Sequence, residues 1–166
     1  MFEIREIAPN DREKVNCFLR EQWGGTMMVL RGELVELDGA PGFIAWEDGE
    51  FVGLVTYMIE AGECEVLSLD SLRERKGNGT ALMDKVISLA REAGCRRVKL
   101  ITTNDNINAL RFYQKRGFDM AALYRNAMVK SRSMKPSIPL IGMDGIPLRH
   151  ELELELVLDW QAQAQP

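Results

Sequence analysis

The feature that most constrains the fold is a glycine turn between an apolar strand and a strongly periodic helix. The turn lies in "LRERKGNGTALM", residues 72–83, and the strand before it runs from about Glu63 to Leu69. The helix after the turn is predicted to end at Gly94. Its apolar stripe consists of Leu82, Val86, Leu89, Ala90 and Ala93. A strand that leads directly into an amphipathic helix is typical of α/β domains.

The other predicted elements continue this mixture of strands and helices. In chain order they are a strand at 2–7, a helix to about Trp23 ended by Gly24, a hairpin turning at Asp48-Gly49, a strand at 98–102, a helix capped by Asn104 or Asp105 and ending near Arg116, a strand at 118–124, a short helix at 126–134 and a strand at 151–158. Residues 26–38 are ambiguous between a short strand and irregular structure. Hairpins force antiparallel neighbours whereas helix crossovers allow parallel ones. We therefore predict an α/β fold with a mixed, mostly antiparallel sheet flanked by helices.

The composition is that of a globular protein, and it excludes several classes. A chain of 166 residues with 46% apolar and 28% charged residues suits one domain over 1–166. No window approaches the ~20 apolar residues of a membrane span, and Met1 to Ile7 lacks the regions of a signal peptide. We therefore predict a cytoplasmic protein. The net charge of −4 argues against a nucleic-acid partner and mildly favours amine substrates over acidic ones.

The cysteines and the histidine give no sign of a metal site. Cys17, Cys64 and Cys95 are far apart, show no metal-ligand spacing and are interpreted as reduced thiols. His150 is the only histidine, so a site that needs two histidines on zinc is excluded. We interpret it as a surface or loop residue rather than a catalytic one.

The glycine turn itself is compatible with an anion site. A turn that opens a helix presents uncommitted backbone N–H groups and the positive end of the helix dipole. Two well-known phosphate motifs do not fit: no Gly-Lys-Ser/Thr follows at P-loop spacing, and Leu82 stands where a dinucleotide fingerprint needs a third glycine. Spacing alone leaves an anion site and a plain helix start equally open.

Two motifs together decide the matter by resemblance. "ERKGNGTALM" resembles the signature of the GNAT superfamily, the N-acyltransferases that use acyl-CoA. Downstream, "NDNINALRFYQKRGF" resembles the second hallmark of that family, in the same order along the chain. Its matching residues are Asn106, Ala109, Tyr113, Gly117 and Phe118. The resemblance covers about Phe43 to Tyr124. It implies a GNAT-type acyltransferase fold, a single GNAT-like domain and acetyl-CoA as co-substrate, with no metal.

The resemblance also implies a cofactor site. Backbone N–H groups near Leu67 and Leu69 would bind the thioester carbonyl and the pantetheine arm. The remaining implied cofactor-binding residues are Glu74, Arg75, Lys76, Gly77, Asn78, Gly79, Thr80, Asn106 and Ala109. Glu74 departs from the family, which usually has Gln or Arg at that position. A carboxylate there should repel pyrophosphate, and Arg73, Arg75 and Lys76 are expected to offset it.

The implied catalytic residues are a tyrosine and one of two glutamates. In the family, the tyrosine matched by Tyr113 protonates the departing thiolate; the alternative is a packed ring with its hydroxyl in water. A base is needed to deprotonate the amine. Glu63 matches the position of a base in some family members. Glu65 lies deeper and faces the cleft if a bulge shifts the strand register; either one is alternatively a solvated strand carboxylate.

Two later segments remain open. In "ELELELVL" the glutamates 151, 153 and 155 alternate with leucines, which favours a strand with one wet face over a cationic-substrate surface. The loop "KPSIPLIGMDGIPL", residues 135–148, is interpreted as a lid or acceptor pocket, or equally as a homodimer contact. With "LITTNDN", the loop resembles a poorly characterised bacterial subgroup of the family.

The leading functional hypothesis is an N-acetyltransferase that transfers an acetyl group directly from acetyl-CoA to a primary amine of a small-molecule or peptide acceptor. A route through an acyl-cysteine on Cys64 or Cys95 is disfavoured because neither has a recognisable activating partner. The alternative from another class is a CoA-binding sensor or scaffold without catalysis. A weaker third hypothesis is a nucleotide-binding α/β domain.

Overall fold

A computed structural model of the chain describes residues 1–73 and 76–158. The chain divides into two compact units: unit 1 comprises Met1–Met27 and Glu36–Val98, and unit 2 comprises Met28–Val35 and Lys99–Pro166. A single domain over 1–166 stays a prediction. Two predicted site residues, Glu74 and Arg75, lie outside the described residues.

The described chain contains the following elements in order. They are β1 (Phe2–Glu6), α1 (Arg12–Trp23), β2 (Met27–Leu30), β3 (Glu33–Glu36), β4 (Gly42–Glu47), β5 (Glu50–Glu60), β6 (Glu63–Ser71), α2 (Asn78–Glu92), β7 (Arg97–Thr103), α3 (Ile107–Lys115), β8 (Asp119–Tyr124), α4 (Ala127–Met134) and β9 (Glu151–Val157). Apart from the two-stranded β2–β3 hairpin, the strands belong to a seven-stranded, mostly antiparallel sheet flanked by helices. The predicted α/β fold class is confirmed.

In unit 1, four antiparallel strands lie in the order β1-β4-β5-β6, and helix α2 packs on the last three of them. The predicted stripe of α2 supplies the contact, since Leu82, Val86 and Ala90 are fully buried. Ala93 is exposed, because the helix ends one residue before it. The predicted hairpin turn is confirmed: Asp48 and Gly49 have φ angles of 51° and 82°, as a type I′ turn requires.

Strand β6 contains a bulge at Leu67. Ser68 pairs with Thr56 of β5 and Val66 pairs with Tyr57, so Leu67 has no partner in the register. The neighbouring ladder is tied by a buried side-chain hydrogen bond of 2.6 Å between the Thr56 and Ser68 hydroxyls. A bulge leaves its extra residue out of the ladder and redirects the side chains around it.

In unit 2, strands β8 and β9 are antiparallel. The ambiguous segment 26–38, of which residues 28–35 belong to unit 2, forms the β2–β3 hairpin. The turn of that hairpin is Arg31-Gly32, with φ angles of 50° and 74°. The left-handed conformation is unfavourable for arginine by roughly 1–2 kcal/mol. The short helix expected at 126–134 is present as α4, with Asn126 at its N-cap.

The prediction of a wet glutamate face on the last strand is wrong. Glu151 and Glu153 are buried, with 1% and 6% of their surfaces exposed. The Arg31 backbone N–H donates to Glu151 at 3.2 Å, and its guanidinium donates to Glu153 at 3.3 Å. The hairpin turn thus covers these carboxylates and provides the polar partners that buried charges require.

The predicted cap of the second-motif helix is shifted by one or two residues. Asn106 is the N-cap of α3, and its side-chain oxygen accepts from the Ala109 backbone N–H at 3.1 Å. Asn104 and Asp105 instead bind residues of the 140–150 region. The Asn104 side chain accepts from the N–H groups of Arg149 and His150, both at 2.9 Å.

Among the described helices, none is both long enough and apolar enough to cross a bilayer.

Candidate functional site

The glycine turn forms an uncapped start to helix α2. Gly77 is the N-cap residue, with a left-handed φ of 78° and no side chain to satisfy the first turn. A Cβ built on Gly77 would meet no atom of residues 1–73 or 76–158 within 4 Å, so none of these residues fills the space beside its Cα. Glycine is therefore needed for its backbone conformation, and the open side allows a ligand to approach the main chain. A helix start of this kind is compatible with a bound anion.

The next residue carries an unusual buried amide. Asn78 is only 4% exposed, and its Nδ2 group finds no acceptor among the described residues. A buried donor without a partner costs about 1–3 kcal/mol, so this one calls for an explanation. A ligand oxygen at the start of α2 would supply the missing acceptor. Gly79 is buried behind it and Thr80 is half-buried in the same helical turn.

The described basic residues beside the turn, Arg73 and Lys76, have different surroundings. Arg73 makes ion pairs with Glu47 and with Glu50, the latter at 2.7 Å, so its charge is already paired with the β4–β5 hairpin. The expectation that Arg73, Arg75 and Lys76 offset Glu74 stays a prediction, because Glu74 and Arg75 lie outside the described residues. Lys76 is exposed next to the turn.

The two candidate bases on β6 have different surroundings. Glu63 begins the strand, and its carboxylate accepts from Arg97 Nε at 3.0 Å and Arg97 Nη2 at 3.3 Å, with Arg96 at 3.7 Å. Glu65 lies two residues before the Leu67 bulge and is 3% exposed. Glu63 is therefore committed to a bidentate ion pair, whereas Glu65 is the carboxylate beside the irregular part of the strand.

The residues of the second motif lie in helix α3 of unit 2 or directly beside its ends. Asn106 caps the helix through Ala109, which gives both a local structural role. Tyr113 is 8% exposed, and its ring packs edge-to-face against Phe112 and Phe118, with centroid distances of 5.1 and 5.5 Å. The ring position of Tyr113 is thus fixed by packing on both sides.

The surroundings of the buried thiols and of the histidine do not suggest a catalytic role. Cys64 and Cys95 are buried, and burial, reinforced by Cys95, raises the pKa of the Cys64 thiol to about 12. A thiol of this kind is a poor nucleophile at neutral pH. His150 Nδ1 accepts from the Asn126 backbone N–H at 2.8 Å, as expected of a loop histidine. Within residues 1–73 and 76–158, no three His, Cys, Asp or Glu side chains are grouped as metal ligands.

Sequence reasoning missed a cleft within unit 2, which we call the cationic cleft. It has a volume of about 380 Å³ and lies beside the β2–β3 turn, the end of β8 and the start of α4. Its lining includes Arg31, Gly32, Leu123, Tyr124, Arg125 and Lys130. The only signal in the sequence was an arginine directly before a glycine in a possible hairpin turn.

Residues 5–118 match the acetyltransferase (GNAT) family, so the chain belongs to that family. This confirms the resemblance drawn from the two motifs. The uncharacterized protein YdhI of Bacillus subtilis (strain 168) is 43% identical over 157 residues, which cover 92% of this chain and 98% of that protein.

Two solved structures show the same fold. An acetyltransferase of Bacillus subtilis in complex with CoA is 19% identical with a TM-score of 0.65, over 95% of this chain and 97% of that one. A GNAT family acetyltransferase from Elizabethkingia anophelis with acetyl-CoA bound is 18% identical with a TM-score of 0.67, over 95% of this chain and 98% of that one.

Proposed function

We propose that the protein is an N-acetyltransferase that transfers an acetyl group directly from acetyl-CoA to a primary amine of a small-molecule or peptide acceptor. The observation that carries the proposal is the buried Asn78 amide without an acceptor, directly after the open left-handed Gly77. Both lie at the start of α2, where backbone N–H groups and the helix dipole favour a phosphate. Membership of the acetyltransferase family supports acetyl-CoA as the source of that phosphate.

The proposed cofactor-binding residues fall into three groups. Lys76, Gly77, Asn78, Gly79 and Thr80 would hold the pyrophosphate, with Glu74 and Arg75 assigned by the sequence motif alone. The bulge at Leu67 supports the assignment of backbone N–H groups near Leu67 and Leu69 to the thioester carbonyl, because a bulge frees groups from the ladder. Asn106 and Ala109 are assigned from the second motif. Acetyl-CoA supplies the activated acyl group and a thiolate leaving group.

Glu65 is the base that we propose. Both oxygens of Glu63 face arginines, and using it as a base would break a bidentate ion pair. Glu65 is near the bulge and would take a proton from the ammonium of the acceptor, directly or through a water molecule, to give the neutral amine that attacks. The nitrogen then forms a bond to the acetyl carbon as the bond from that carbon to sulfur breaks, and the second proton that the nitrogen must lose leaves to water.

Tyr113 is the general acid that we propose for the departing thiolate. Its ring is held between Phe112 and Phe118, which restricts where its hydroxyl can lie. A positioned phenol that donates its proton to sulfur would contribute about 10²–10⁴-fold to the rate. The buried Cys64 thiol, with its pKa of about 12, supports direct transfer over an acyl-cysteine route.

The test is to incubate the protein with acetyl-CoA and a panel of primary amines, to measure the CoA thiol released, and to identify the acetylated product by mass spectrometry. Cys17 is exposed and would react with a thiol reagent, so a Cys17→Ser background removes that signal. We expect turnover with at least one amine. Tyr113→Phe should lose this turnover and retain its affinity for acetyl-CoA. Tight acetyl-CoA binding without turnover on any amine would support the sensor or scaffold instead.

A further inference from the structure

We infer that the cationic cleft binds a carboxylate or phosphate group that the acceptor carries in addition to its amine. That the ligand is the acceptor rests on the proposed function, whereas the binding of an anionic group rests on the cleft alone. The proposed catalysis involves neither Arg125 and Lys130 nor the Arg31-Gly32 turn.

The charge of the cleft is positive at its surface. Arg125 and Lys130 are both exposed, and neither has a carboxylate within 4.0 Å in the described part of the chain. No Asp or Glu of residues 1–73 or 76–158 contributes to the lining. Two unpaired cations at a concave surface attract an anion, and an arginine guanidinium matches the two oxygens of a carboxylate or phosphate.

The third cation is held in place by buried groups. Arg31 is fixed by Glu153 through its side chain and by Glu151 through its backbone. The Tyr124 hydroxyl donates to Glu153 at 3.4 Å, and burial, followed by the nearby Glu153 charge, raises the pKa of this phenol. Glu151 and Glu153 are buried and are not among the lining residues, so the exposed cations dominate the surface of the cleft.

The Arg31-Gly32 turn beside the cleft depends on both of its residues. Arg31 occupies a left-handed position where Asn, Asp or Gly is usual, which indicates that the side chain is used despite the backbone strain. A Cβ built on Gly32 would lie 2.9 Å from Lys130 Nζ, so the lysine chain lies directly on the glycine. Any larger residue at position 32 would displace that ammonium.

The size of the cleft selects a small ligand. Its volume of about 380 Å³ lies at the lower end of the ~300–1,000 Å³ range of small-molecule sites. The net charge of −4 disfavours a nucleic acid, which needs an extended positive surface. An amino acid, a small amino dicarboxylate or an amino phosphate fits both conditions.

The experiment compares matched amines that differ in one charge. Each primary amine is supplied in three forms: with a carboxylate, with a phosphonate and with the neutral amide at the same position. We expect kcat/KM to be higher for the anionic forms than for the amide. The carboxylate and phosphonate arms then distinguish the two kinds of anion.

The variants Arg125→Gln and Lys130→Met remove the exposed cations one at a time. Each should lower kcat/KM for the preferred anionic acceptor about tenfold or more, as the loss of a hydrogen bond to a charged group does. The KM for acetyl-CoA and the rate with the neutral amide should stay unchanged. Lys85→Met removes an exposed lysine of α2 and is the control. The charge reversal Lys130→Glu should shift the preference toward acceptors whose second group is cationic.

Three results would overturn the inference. They are an equal loss on the amide and the anionic form, a rise in the KM for acetyl-CoA in place of the acceptor effect, and no preference for any anionic amine. Isothermal titration calorimetry with the same amines, in the absence of acetyl-CoA, tests anion binding by the cleft independently of the proposed acetyltransferase activity. Anion-selective binding that Arg125→Gln abolishes, with no turnover, would support the cleft and reject the acetyltransferase activity.

Discussion

The buried Asp105 carboxylate accepts a hydrogen bond from the Met143 backbone N–H at 2.9 Å, and its other oxygen accepts from the Thr103 hydroxyl at 2.5 Å. Its side chain also occupies the space beside Gly142, where a Cβ would lie 2.1 Å from Asp105 Oδ2. One side chain at the end of β7 thus anchors the tip of the 135–148 loop.

Asp105→Asn should loosen that loop. One oxygen becomes an NH₂ group facing a donor, and the expected loss is about 1–3 kcal/mol in the free energy of unfolding. Urea unfolding measures the loss, and limited proteolysis should cut faster within 135–148. The control is Asp144→Asn, because Asp144 is exposed and has a φ of 56°, a conformation that asparagine tolerates. Equal stability of the two variants would contradict the anchoring role.

Gly77→Ala should weaken acetyl-CoA binding as well as stability. Gly77 and Gly94 flank α2, with left-handed φ angles of 78° and 74°, and no atom of the described residues lies within 4 Å of a Cβ built on either. Alanine at either position should cost about 1–2 kcal/mol of unfolding free energy through backbone strain. Only Gly77→Ala should also raise the KM for acetyl-CoA, because only Gly77 opens the proposed phosphate site. A similar KM in both variants would argue against that site.

Glu65→Gln and Glu63→Gln should separate catalysis from stability. Loss of a general base lowers kcat by about 10²–10⁴-fold, so Glu65→Gln should be slow while its KM for acetyl-CoA is retained. Glu63→Gln breaks a partly exposed ion pair with Arg97 and should cost under about 1 kcal/mol, with kcat nearly unchanged. Steady-state kinetics and thermal unfolding of both variants check this. The opposite pattern would transfer the role of base to Glu63.

The cysteines should differ sharply in alkylation. Burial raises the pKa of Cys64 to about 12, so the thiolate is scarce at pH 8 and the sulfur is inaccessible, whereas Cys17 is exposed. Iodoacetamide followed by peptide mass spectrometry should label Cys17 in the native protein, and Cys64 and Cys95 only after unfolding. The pKa of Cys64 is higher in the folded than in the unfolded protein. The free energy of unfolding should therefore fall as the pH rises above the pKa that Cys64 has in the unfolded chain. Rapid native labelling of Cys64 would reopen the acyl-cysteine route.

The Arg5–Asp11 pair should make part of the stability dependent on pH. Hydrogen bonds from Arg5 and from the Ala8 backbone N–H lower the pKa of Asp11 below its usual value. Its contribution is therefore present above the unfolded pKa of about 3.9 and is lost as the pH falls through the lower folded pKa. Asp11→Asn should be less stable than the native protein at pH 7 and equally stable at strongly acidic pH. Glu13→Gln, a change at an exposed residue in the first turn of α1, is the control because it leaves the Arg5–Asp11 pair in place.

Most of the fold could be predicted because its signals are local. The stripe of α2, its stop at Gly94 and the Asp48-Gly49 turn each depend on residues within a few positions of one another. The bulge at Leu67 was expected only as a condition on Glu65, since a bulge is decided by the pairing with β5 rather than by the strand itself.

The features that were missed depend on residues far apart in the chain. Alternation predicted wet glutamates at 151 and 153, but the covering group is Arg31, about 120 residues earlier. Likewise, Asn104 and Asp105 have the side chains of good helix caps, yet they bind the 140–150 region and leave the cap to Asn106. A local pattern cannot show which of three adjacent polar residues a distant loop will engage.

The contacts of the Arg31-Gly32 turn also bear on the order in which the chain folds during synthesis. Arg31 is synthesised 120 and 122 residues before its two carboxylate partners on β9. Until β9 leaves the ribosome, the strained turn has no counter-charge to hold it. The β2–β3 hairpin should therefore settle late, and the wall of the cationic cleft is completed only after β9 has been synthesised.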